Sequence, residues 1–339
     1  MRVRAFLYWT GRPQRIGFLA LLAWAIMGEP THAQHTTIRV GYFPNVTHVQ
    51  ALVAQNLARH GRDWFAERLG PDVKVEWQSF NAGPSAMQAI LANSLDLTYA
   101  GPNAAINAYA QSLGKDIRIV AGAVIGGSAL VVQPRSNLTR PSDFIGKRIA
   151  VPEYENTQDV SARAWLAAGG VRVSESSDRR GVEVVPTPNS KQLGLFELMQ
   201  VDAVWTVEPW VSRLELLADG KLLVEEKNGI TTVLVSGSKF LDLQPDLARR
   251  FVTAHRELTD WIGNNPVAAQ RMITEELLIK FKTRITNLVL ARAWERILVT
   301  NEVSLASLQG FVERAQAAGY FSSKPDLSRL VADLPRPTN

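Results

Sequence analysis

Beyond the first 33 residues, the chain alternates between strand-like and helix-like segments. Apolar and polar residues alternate in "VKVEWQSF" (73–80), as in a half-buried strand. In "VTHVQALVAQNLARHGRDWFAERLG" (46–70), apolar residues recur at i, i+3 and i+4, as in an amphipathic helix. The succession repeats with "DLTYAG" (96–101) and "PNAAINAYAQSLG" (102–114). Because a helix between two strands lets them run parallel, this rhythm predicts a mainly parallel sheet with helices on both faces.

A second unit of the same kind follows. "GGSALVVQPRSN" (126–137) carries a strand into a polar loop, and "PSDFIGKRIAVPEYENT" (141–157) starts a new series of strands and helices. "TTVLVSG" (231–237) mirrors the first crossing strand, and from Pro245 the pattern is helical. Two crossings between two α/β lobes predict a hinge and a cleft, with C-terminal helices packed on the first lobe. The predicted divisions are residues 34–133 and 231–339 for the first lobe and 134–230 for the second.

The first 33 residues have the pattern of a signal peptide. A basic segment from Arg2 to Arg15 precedes the apolar run "IGFLALLAWAIM" (16–27), and "THA" (31–33) supplies small residues for cleavage. The 12 residues of that run span about 18 Å as a helix, less than the roughly 30 Å of a bilayer core. We therefore predict cleavage after Ala33 and export to a bacterial periplasm, with an uncleaved membrane anchor as the alternative.

Composition and charge exclude several classes of function. The formal net charge is +5, but Arg2, Arg4, Arg12 and Arg15 against Glu29 place +3 in the predicted signal peptide and leave +2 for the rest. So small a charge gives no electrostatic basis for binding nucleic acid. The chain has no cysteine, which excludes disulfides, thiol catalysis and thiolate metal sites. The length predicts two domains, and we expect a monomer with no metal or cofactor.

Ligands of open α/β sheets bind beyond the carboxyl ends of the strands, where helices begin. The first N–H groups of a helix are unpaired and carry a partial positive charge, so these ends are ready anion sites. The sequence has such junctions at "FPNVTH" (43–48), "NAGPSAM" (81–87), "YAGPNAA" (99–105), "PEYENTQD" (152–159) and "WTVEPW" (205–210).

In the first predicted lobe, each junction has a structural and a functional interpretation. Asn45 and Thr47 either cap the first helix or face a ligand, and His48 is either a bystander or a donor to an anion. At the next two junctions, Gly-Pro turns at equivalent strand ends predict a shared pocket. Its candidates are Gly83, which permits close backbone approach, Ser85 as a helix cap, and Gly101 with Asn103 at the second turn.

In the second predicted lobe, "DAVWTVEPW" (202–210) brings Trp205 and Glu208 to the end of a strand. Glu208 either complements the dipole of the helix that begins at Pro209 or pairs with a positive group on the ligand. Trp205 or Trp210 would form an apolar side of the ligand-binding site. The polar loop at the junction "PEYENTQD" is either a solvated turn or faces the ligand. It contains Glu153, Glu155, Asn156 and Thr157.

These motifs resemble the solute-binding proteins of ABC importers for nitrate, taurine and aliphatic sulfonates. The resemblance extends from about Ile38 to about Gly319 and rests on "GYFPNVTHVQAL", "FNAGPSAMQAI", "YAGPNAAINAY", "VVPTPNSKQLGLFE" and "DAVWTVEPW". It implies a type II periplasmic-binding fold that closes around one small solute and delivers it to a membrane permease and ATPase. The matching ligand positions are Asn45, His48, Gly83, Ser85, Gly101, Asn103, Ser128, Trp205 and Glu208, with Ser128 included because "GGSALVV" matches the family's crossing strand.

The residues and the resemblance together predict a small sulfonate-type ligand. No Arg or Lys occupies the strand-end loops, so neutral donors would meet the charge of an anion. Glu208 favours a ligand that also carries an amine, such as taurine or a heteroaromatic amine. Nitrate, bicarbonate and a pyrimidine-type thiamine precursor stacked on tryptophan are the alternatives.

Two other classes of protein share this fold. A periplasmic sensor module would use the same binding chemistry, so the sequence is equally consistent with a sensor module and a transport protein. An enzyme is disfavoured, because cysteine is absent, His48 is the histidine near the predicted site, and no nucleophile, dinucleotide or phosphate-loop motif is present.

Overall fold

The computed structural model describes residues 36–174, 180–282 and 284–334. The predicted signal peptide and its cleavage after Ala33 lie outside the described residues. Among the described residues, no helix is long and apolar enough to cross a membrane.

The strands form two sheets. In chain order they are β1 Thr36–Tyr42, β2 Val73–Ser79, β3 Leu97–Ala100, β4 Ile117–Gly126, β5 Ser128–Val132, β6 Arg148–Val151, β7 Val173–Ser174, β8 Val182–Pro186, β9 Ala203–Val207, β10 Lys221–Glu226, β11 Ile230–Gly237 and β12 Ile297–Val299. Among the described residues, the first sheet has the order β12-β4-β11-β3-β1-β2 and the second has the order β10-β5-β9-β6-β8-β7.

Helices cover both sheets. They are α1 Val49–Arg59, α2 Ala66–Leu69, α3 Gly83–Leu91, α4 Pro102–Gln111, α5 Thr157–Ala168, α6 Asn189–Glu197, α7 Trp210–Leu217, α8 Ser238–Leu243, α9 Pro245–Asn264, α10 Pro266–Phe281, α11 Asn287–Glu295 and α12 Leu305–Ala317, with short 3-10 helices at Val46–His48 and Pro141–Phe144. The strand–helix succession predicted from the sequence is present in both units.

Both sheets are mixed rather than mainly parallel. β1 pairs in parallel with β2 and β3, and β6 pairs in parallel with β8 and β9, as strand–helix–strand units require. β11 is antiparallel to β3 and β4, while β5 is antiparallel to β9 and β10. The antiparallel pairs involve the strands that cross between the sheets, which run back without a helical crossover.

Two adjacent crossings connect the sheets. β4 ends at Gly126 and β5 begins at Ser128, so one residue, Gly127, lies between the first sheet and the second. Gly126 (φ +78°) and Gly127 (φ +74°) have the left-handed conformation that favours glycine. β10 and β11 make the return crossing through residues 227–229, and the N–H of Gly126 donates to the carbonyl of Gly229 at 2.8 Å. We call these two crossings the hinge, and each sheet with its helices a lobe.

The predicted lobe boundary after residue 133 differs from the point at which the chain changes sheet. Ser128–Val132 pair with β9 and β10, so this strand belongs to the second sheet. The sequence pattern missed the position because a strand that crosses between lobes is apolar on both sides of the crossing. The change of sheet occurs at Gly127.

The hydrophobic core lies on both faces of each sheet. In lobe 1, Leu52 and Phe251 pack on one face, and Met87 and Phe311 on the other. The side chains of Phe65 and Phe251 stack with ring centroids 4.5 Å apart. Helices α9 and α10 therefore pack on the first lobe, as predicted, whereas α11 and α12 also contact α7 and α5 of the second lobe. The short strand β12 interrupts the segment expected to be helical.

Candidate ligand-binding cleft

A cavity of about 30 Å³ lies between the lobes, at the strand ends where helices begin. Its polar lining comes from Asn45, Thr47, His48, Asn81, Asn156, Thr157, Gln158, Asn189, Thr231 and Thr232. The remaining lining comes from Phe43, Ala82, Gly83, Gly101, Ala104, Pro152 and Val207. Among these described residues none is charged, and the volume suits about two water-sized groups.

Helix N-termini from both lobes meet at this cavity. α3 begins at Gly83, α5 at Thr157 and α6 at Asn189, and all three residues line the cavity. Gly101, which also lines it, immediately precedes α4. Because each N-terminus carries unpaired N–H groups and a partial positive charge, the cavity favours negative charge without a cationic side chain.

Two buried hydroxyl groups of the lining have no partner in the described part of the chain. The side chains of Thr47 and Thr232 are 1% and 0% exposed, and neither Oγ1 atom makes a hydrogen bond there. Buried hydroxyl groups are nearly always paired in folded proteins. These two atoms are therefore candidates for direct contact with a bound solute.

His48 presents a neutral N–H group. The backbone N–H of Phe43 donates to His48 Nδ1 at 3.2 Å, so the proton of the neutral ring resides on Nε2. Burial lowers the pKa of His48 to about 3, which keeps the ring uncharged at neutral pH. The ring lines the cavity, as expected for a donor to an anion.

Asn45 lies in the cleft but does not cap a helix. It occupies the position before the 3-10 helix, yet its side chain makes no capping hydrogen bond. Its Oδ1 atom instead accepts from Trp210 Nε1 at 2.8 Å and from Asn189 Nδ2 at 3.4 Å, both in lobe 2. The capping interpretation of Asn45 is therefore wrong, and that of Thr47 fails because its hydroxyl is unpaired.

The two Gly-Pro turns behave differently from each other. A Cβ atom on Gly101 would lie 2.4 Å from Thr157 Oγ1, so glycine here lets the lobes approach. A Cβ atom on Gly83 would lie 2.4 Å from the Cβ of Ala104, so this glycine serves the packing of α3 on α4. Ser85 does not cap α3, because the residue before that helix is Ala82. The Ser85 side chain is exposed and donates to Glu153 Oε1 at 2.6 Å.

Asn103 and Ser128 do not line the cavity. Asn103 is buried, and its Nδ2 atom donates to the carbonyl of Phe311 at 3.1 Å, towards α12. Its backbone N–H donates to Thr157 Oγ1 at 3.3 Å across the cleft. Ser128 Oγ donates to Glu226 Oε2 at 2.6 Å, just behind the cavity wall.

Trp205 lies in the core of lobe 2 instead of the cleft. It is the central residue of β9, opposite Leu130, and only 2% exposed. Its ring packs edge-on against Trp165, with centroids 6.3 Å apart. The sequence pattern placed it at the strand end, but β9 continues to Val207.

Glu208 is held by a buried ion pair. Its Oε1 accepts from Arg296 Nη1 at 3.0 Å and from Ser212 Oγ at 2.9 Å. Its Oε2 accepts from the backbone N–H of Ser212 at 3.1 Å, in the first turn of α7. Burial raises the pKa of this carboxyl, while Ser212 and Arg296 oppose that shift. Glu208 does not line the cavity, which favours the helix-terminus interpretation over a ligand partner.

Several lining residues were missed by the sequence interpretation. Asn189 lies within the quoted family motif "VVPTPNSKQLGLFE", and Gln158 lies within the junction "PEYENTQD". Asn81 precedes the first Gly-Pro turn, while Thr231 and Thr232 were interpreted only as part of a crossing strand. Each lies within or beside a motif quoted above, but the position of a residue at a strand end does not tell whether its side chain points into the cavity.

The sequence matches the model of the NMT1-like family over residues 31–276. A curated relative, the taurine-binding periplasmic protein of Escherichia coli K12, is 25% identical over 225 residues; the match covers 65% of this chain and 64% of that protein. The chain therefore spans less than two thirds of the length of this relative.

Solved structures show the same architecture. The alkanesulfonate-binding protein SsuA from Xanthomonas axonopodis pv. citri, bound to MOPS, matches with a TM-score of 0.71 at 20% identity, covering 88% of this chain and 98% of that one. The nitrate-binding protein NrtA from Synechocystis PCC 6803 matches with a TM-score of 0.62 at 14% identity, covering 86% and 83%. These similarities establish the type II periplasmic-binding fold. With most of its length matched by the family model, the chain belongs to the NMT1-like family.

Proposed function

We propose that this protein is the periplasmic solute-binding component of an ABC importer, and that it captures a small sulfonate-type anion between its two lobes. The observation that carries the proposal is a cavity lined from both lobes by neutral donors and helix N-termini, without a charged side chain among the described lining residues. The names of the taurine-binding relative and of the alkanesulfonate-binding structure support the ligand class.

The lining chemistry favours an alkanesulfonate over taurine. A sulfonate is a weakly basic anion whose oxygens accept hydrogen bonds, and the N–H of His48 and the hydroxyls of Thr47 and Thr232 can donate them. The ammonium group of taurine would need an acceptor, preferably a carboxylate. Glu208, the carboxylate expected to fill that role, is paired with Arg296 and Ser212. The sequence-based preference for an amine-bearing ligand therefore loses its basis.

Nitrate is a second candidate, supported by the size of the cavity. A cavity of about 30 Å³ suits a compact anion, and one structural neighbour is a nitrate-binding protein. An alkanesulfonate requires the lobes to separate slightly from the described arrangement. Binding of both anions would be consistent with a cleft that recognises negative charge through neutral donors.

The two lobes suggest how capture leads to transport. Motion at the hinge opens the cleft, and a ligand that contacts both lobes stabilises the closed form. A permease and its ATPase would then receive the solute from a monomeric carrier. We propose a carrier and not an enzyme, because no threonine hydroxyl among the described lining residues hydrogen-bonds to His48, the one titratable side chain of that lining.

The unpaired hydroxyls supply a direct test. Thr47→Val and Thr232→Val remove a hydroxyl while keeping the shape of the side chain, so each should lower the affinity for ethanesulfonate about fivefold or more in calorimetric titration. Thr253→Val is the control, since Thr253 Oγ1 is also buried without a partner in the described chain but lies on α9. Equal affinities in the wild type and in both cleft variants would contradict the proposed site.

A further inference from the structure

The side-chain amide of Gln158 has a defined orientation at the cavity wall. Gln158 lines the cavity and is 5% exposed. Its Nε2 atom donates to Ser128 Oγ at 3.4 Å, and its Oε1 atom accepts from Asn156 Nδ2 at 3.3 Å. A primary amide has two N–H groups, and the second one of Gln158 has no partner in the described chain. That N–H group can donate to a solute.

Ser128 fixes this orientation from one side. Ser128 Oγ donates its single proton to Glu226 Oε2 at 2.6 Å. An ionised carboxylate only accepts hydrogen bonds, so the Ser128 proton is committed to Glu226. Towards Gln158 the hydroxyl can therefore only accept, which requires the NH₂ end of the amide to face it.

Asn156 fixes the orientation from the other side. As the N-cap of α5, Asn156 accepts from the backbone N–H of Asp159 through Oδ1 at 2.8 Å. The Nδ2 atom of Asn156 is therefore a donor, and it needs an acceptor at Gln158. The carbonyl end of the Gln158 amide meets that need at 3.3 Å.

Glu226 is the carboxylate that accepts the Ser128 proton and so orients this series of hydrogen bonds. It is the last residue of β10 and lies opposite Ser128 in the antiparallel register, beside the hinge. Its Oε1 atom accepts from Ser161 Oγ at 2.9 Å, one turn beyond Gln158 on α5. The carboxylate thus binds the first turns of α5 to the hinge strands, but it does not line the cavity.

We propose that Glu226 is a positioning residue for ligand selectivity. By holding the proton of Ser128, it directs an N–H group of Gln158, and not its carbonyl, into the cleft. This arrangement selects for anions against neutral ligands of the same shape that carry their own donors. The inference rests on the proposed function, since it assumes that the cleft binds an anionic solute.

The test compares ethanesulfonate with ethanesulfonamide, its neutral analogue. Ser128→Ala removes the acceptor of Gln158 without changing any charge, and should lower the affinity for ethanesulfonate about fivefold while leaving that for ethanesulfonamide within about twofold. Glu226→Met should shift the ratio of affinities in the same direction, because the freed Ser128 proton competes for the Gln158 carbonyl. Simple charge removal predicts the opposite result, since loss of a nearby negative charge strengthens anion binding.

Ser161→Ala is the matched control, because Ser161 donates to the same carboxylate but, among the described residues, makes no hydrogen bond to Gln158. It should leave the affinity ratio unchanged. An unchanged ratio in Ser128→Ala, or tighter ethanesulfonate binding in Glu226→Met, would overturn the proposal. A uniform loss for both ligands would also overturn it, because general loosening of the cleft lowers both affinities together.

A ligand-free measurement separates this proposal from the proposed function. The side-chain amide resonance of Gln158 can be assigned in a ¹⁵N correlation spectrum through its loss in Gln158→Glu. It should move in Glu226→Met and stay in place in Ser161→Ala. If the wild type binds no sulfonate, the proposed function is wrong, and a resonance that stays in place in Glu226→Met would overturn the role of Glu226 independently.

Discussion

Trp210 Nε1 donates a hydrogen bond to Asn45 Oδ1 at 2.8 Å, and the two side chains belong to different lobes. Both are almost fully buried, at 4% and 2% exposed. The sequence marked Asn45 as a helix cap or ligand contact and Trp210 as an apolar wall. In the structure the pair instead joins the lobes directly, so part of the closed cleft is held by the protein's own groups.

Removal of this donor should favour the open form. Trp210→Phe keeps an aromatic ring but leaves Asn45 Oδ1 with only the 3.4 Å contact to Asn189, so affinity should fall about tenfold. Small-angle scattering should show a larger radius of gyration without ligand. Trp64→Phe is the control, because its indole bonds to the carbonyl of Ala254 within lobe 1 at 2.9 Å. An unchanged radius in Trp210→Phe would show that the pair does not hold the lobes together.

Gly101→Ala should prevent full closure. The backbone of Gly101 (φ −71°, ψ 147°) suits alanine, so the substitution should not strain lobe 1. The added Cβ would lie 2.4 Å from Thr157 Oγ1 of lobe 2, closer than any real contact. We expect ligand affinity to fall at least about tenfold, as measured by calorimetry, with an unchanged melting temperature.

Gly194→Ala provides the comparison for Gly101→Ala. Gly194 lies inside α6 with no atom within 4 Å of a built Cβ, so alanine there should stabilise the helix by about 0.5–1 kcal/mol and leave binding intact. Normal affinity in Gly101→Ala would mean that the lobes do not approach as closely when ligand is bound.

Glu208→Ala should destabilise the protein without discriminating between ligands. It removes the 3.0 Å pair of Arg296, which is 7% exposed but keeps Glu215 at 2.8 Å, so the free energy of unfolding should fall by about 1–3 kcal/mol. Thermal unfolding should reveal this cost, whereas Glu257→Ala, which breaks an exposed pair with Arg68, should cost much less. Taurine and ethanesulfonate should be weakened equally. A selective loss of taurine would restore Glu208 as a ligand partner.

The buried histidines should make stability depend on pH. The folded-state pKa values are lowered to about 3 for His48 and about 4 for His255, below the roughly 6.5 of an unfolded chain. The stability that the two neutral histidines contribute is therefore fully present above about pH 6.5. It is lost as the pH falls towards the folded-state pKa values. Between pH 6.5 and 5 the free energy of unfolding should fall by about 1.5 kcal/mol per histidine, as measured by urea unfolding.

His48→Asn tests how much of this pH dependence of stability comes from His48. Asparagine can still accept from the N–H of Phe43, but it does not titrate, so the slope of stability against pH should become shallower. Because His48 stays neutral in the folded protein, ligand affinity of the wild type should remain constant between pH 5 and 8. A wild-type affinity that changes severalfold across this range would show that His48 titrates in the cleft.

The fold was largely predictable from the sequence because local periodicity reports which face of an element is buried. The alternation in "VKVEWQSF" corresponds to β2. The helical spacing over residues 46–70 corresponds to a 3-10 turn, α1 and α2, with non-helical residues 60–65 between the two α-helices. What periodicity did not reveal was how strands from distant parts of the chain pair, since that depends on tertiary packing. The antiparallel crossing strands and β12 are examples.

The site was predictable at the level of loops rather than of side chains. Asn45, His48, Gly83 and Gly101 do line the cavity, because they follow strands whose ends meet there. Their role in binding stays a prediction. Trp205 and Glu208 do not line it, since β9 extends further than its pattern suggested and a distant arginine occupies the carboxylate. No local signal in the sequence connects Glu208 to Arg296.

Calorimetric titration of residues 34–339 with ethanesulfonate and with taurine measures whether the cleft recognises a sulfonate without needing an amine. The protein would first be unfolded and refolded to remove any carried-over solute. A cleft of neutral donors should bind ethanesulfonate at least as tightly as taurine, because no lining carboxylate among the described residues meets the ammonium group. Much tighter binding of taurine would contradict the proposed site, since it would require a carboxylate beside the amine, and the described lining residues include none.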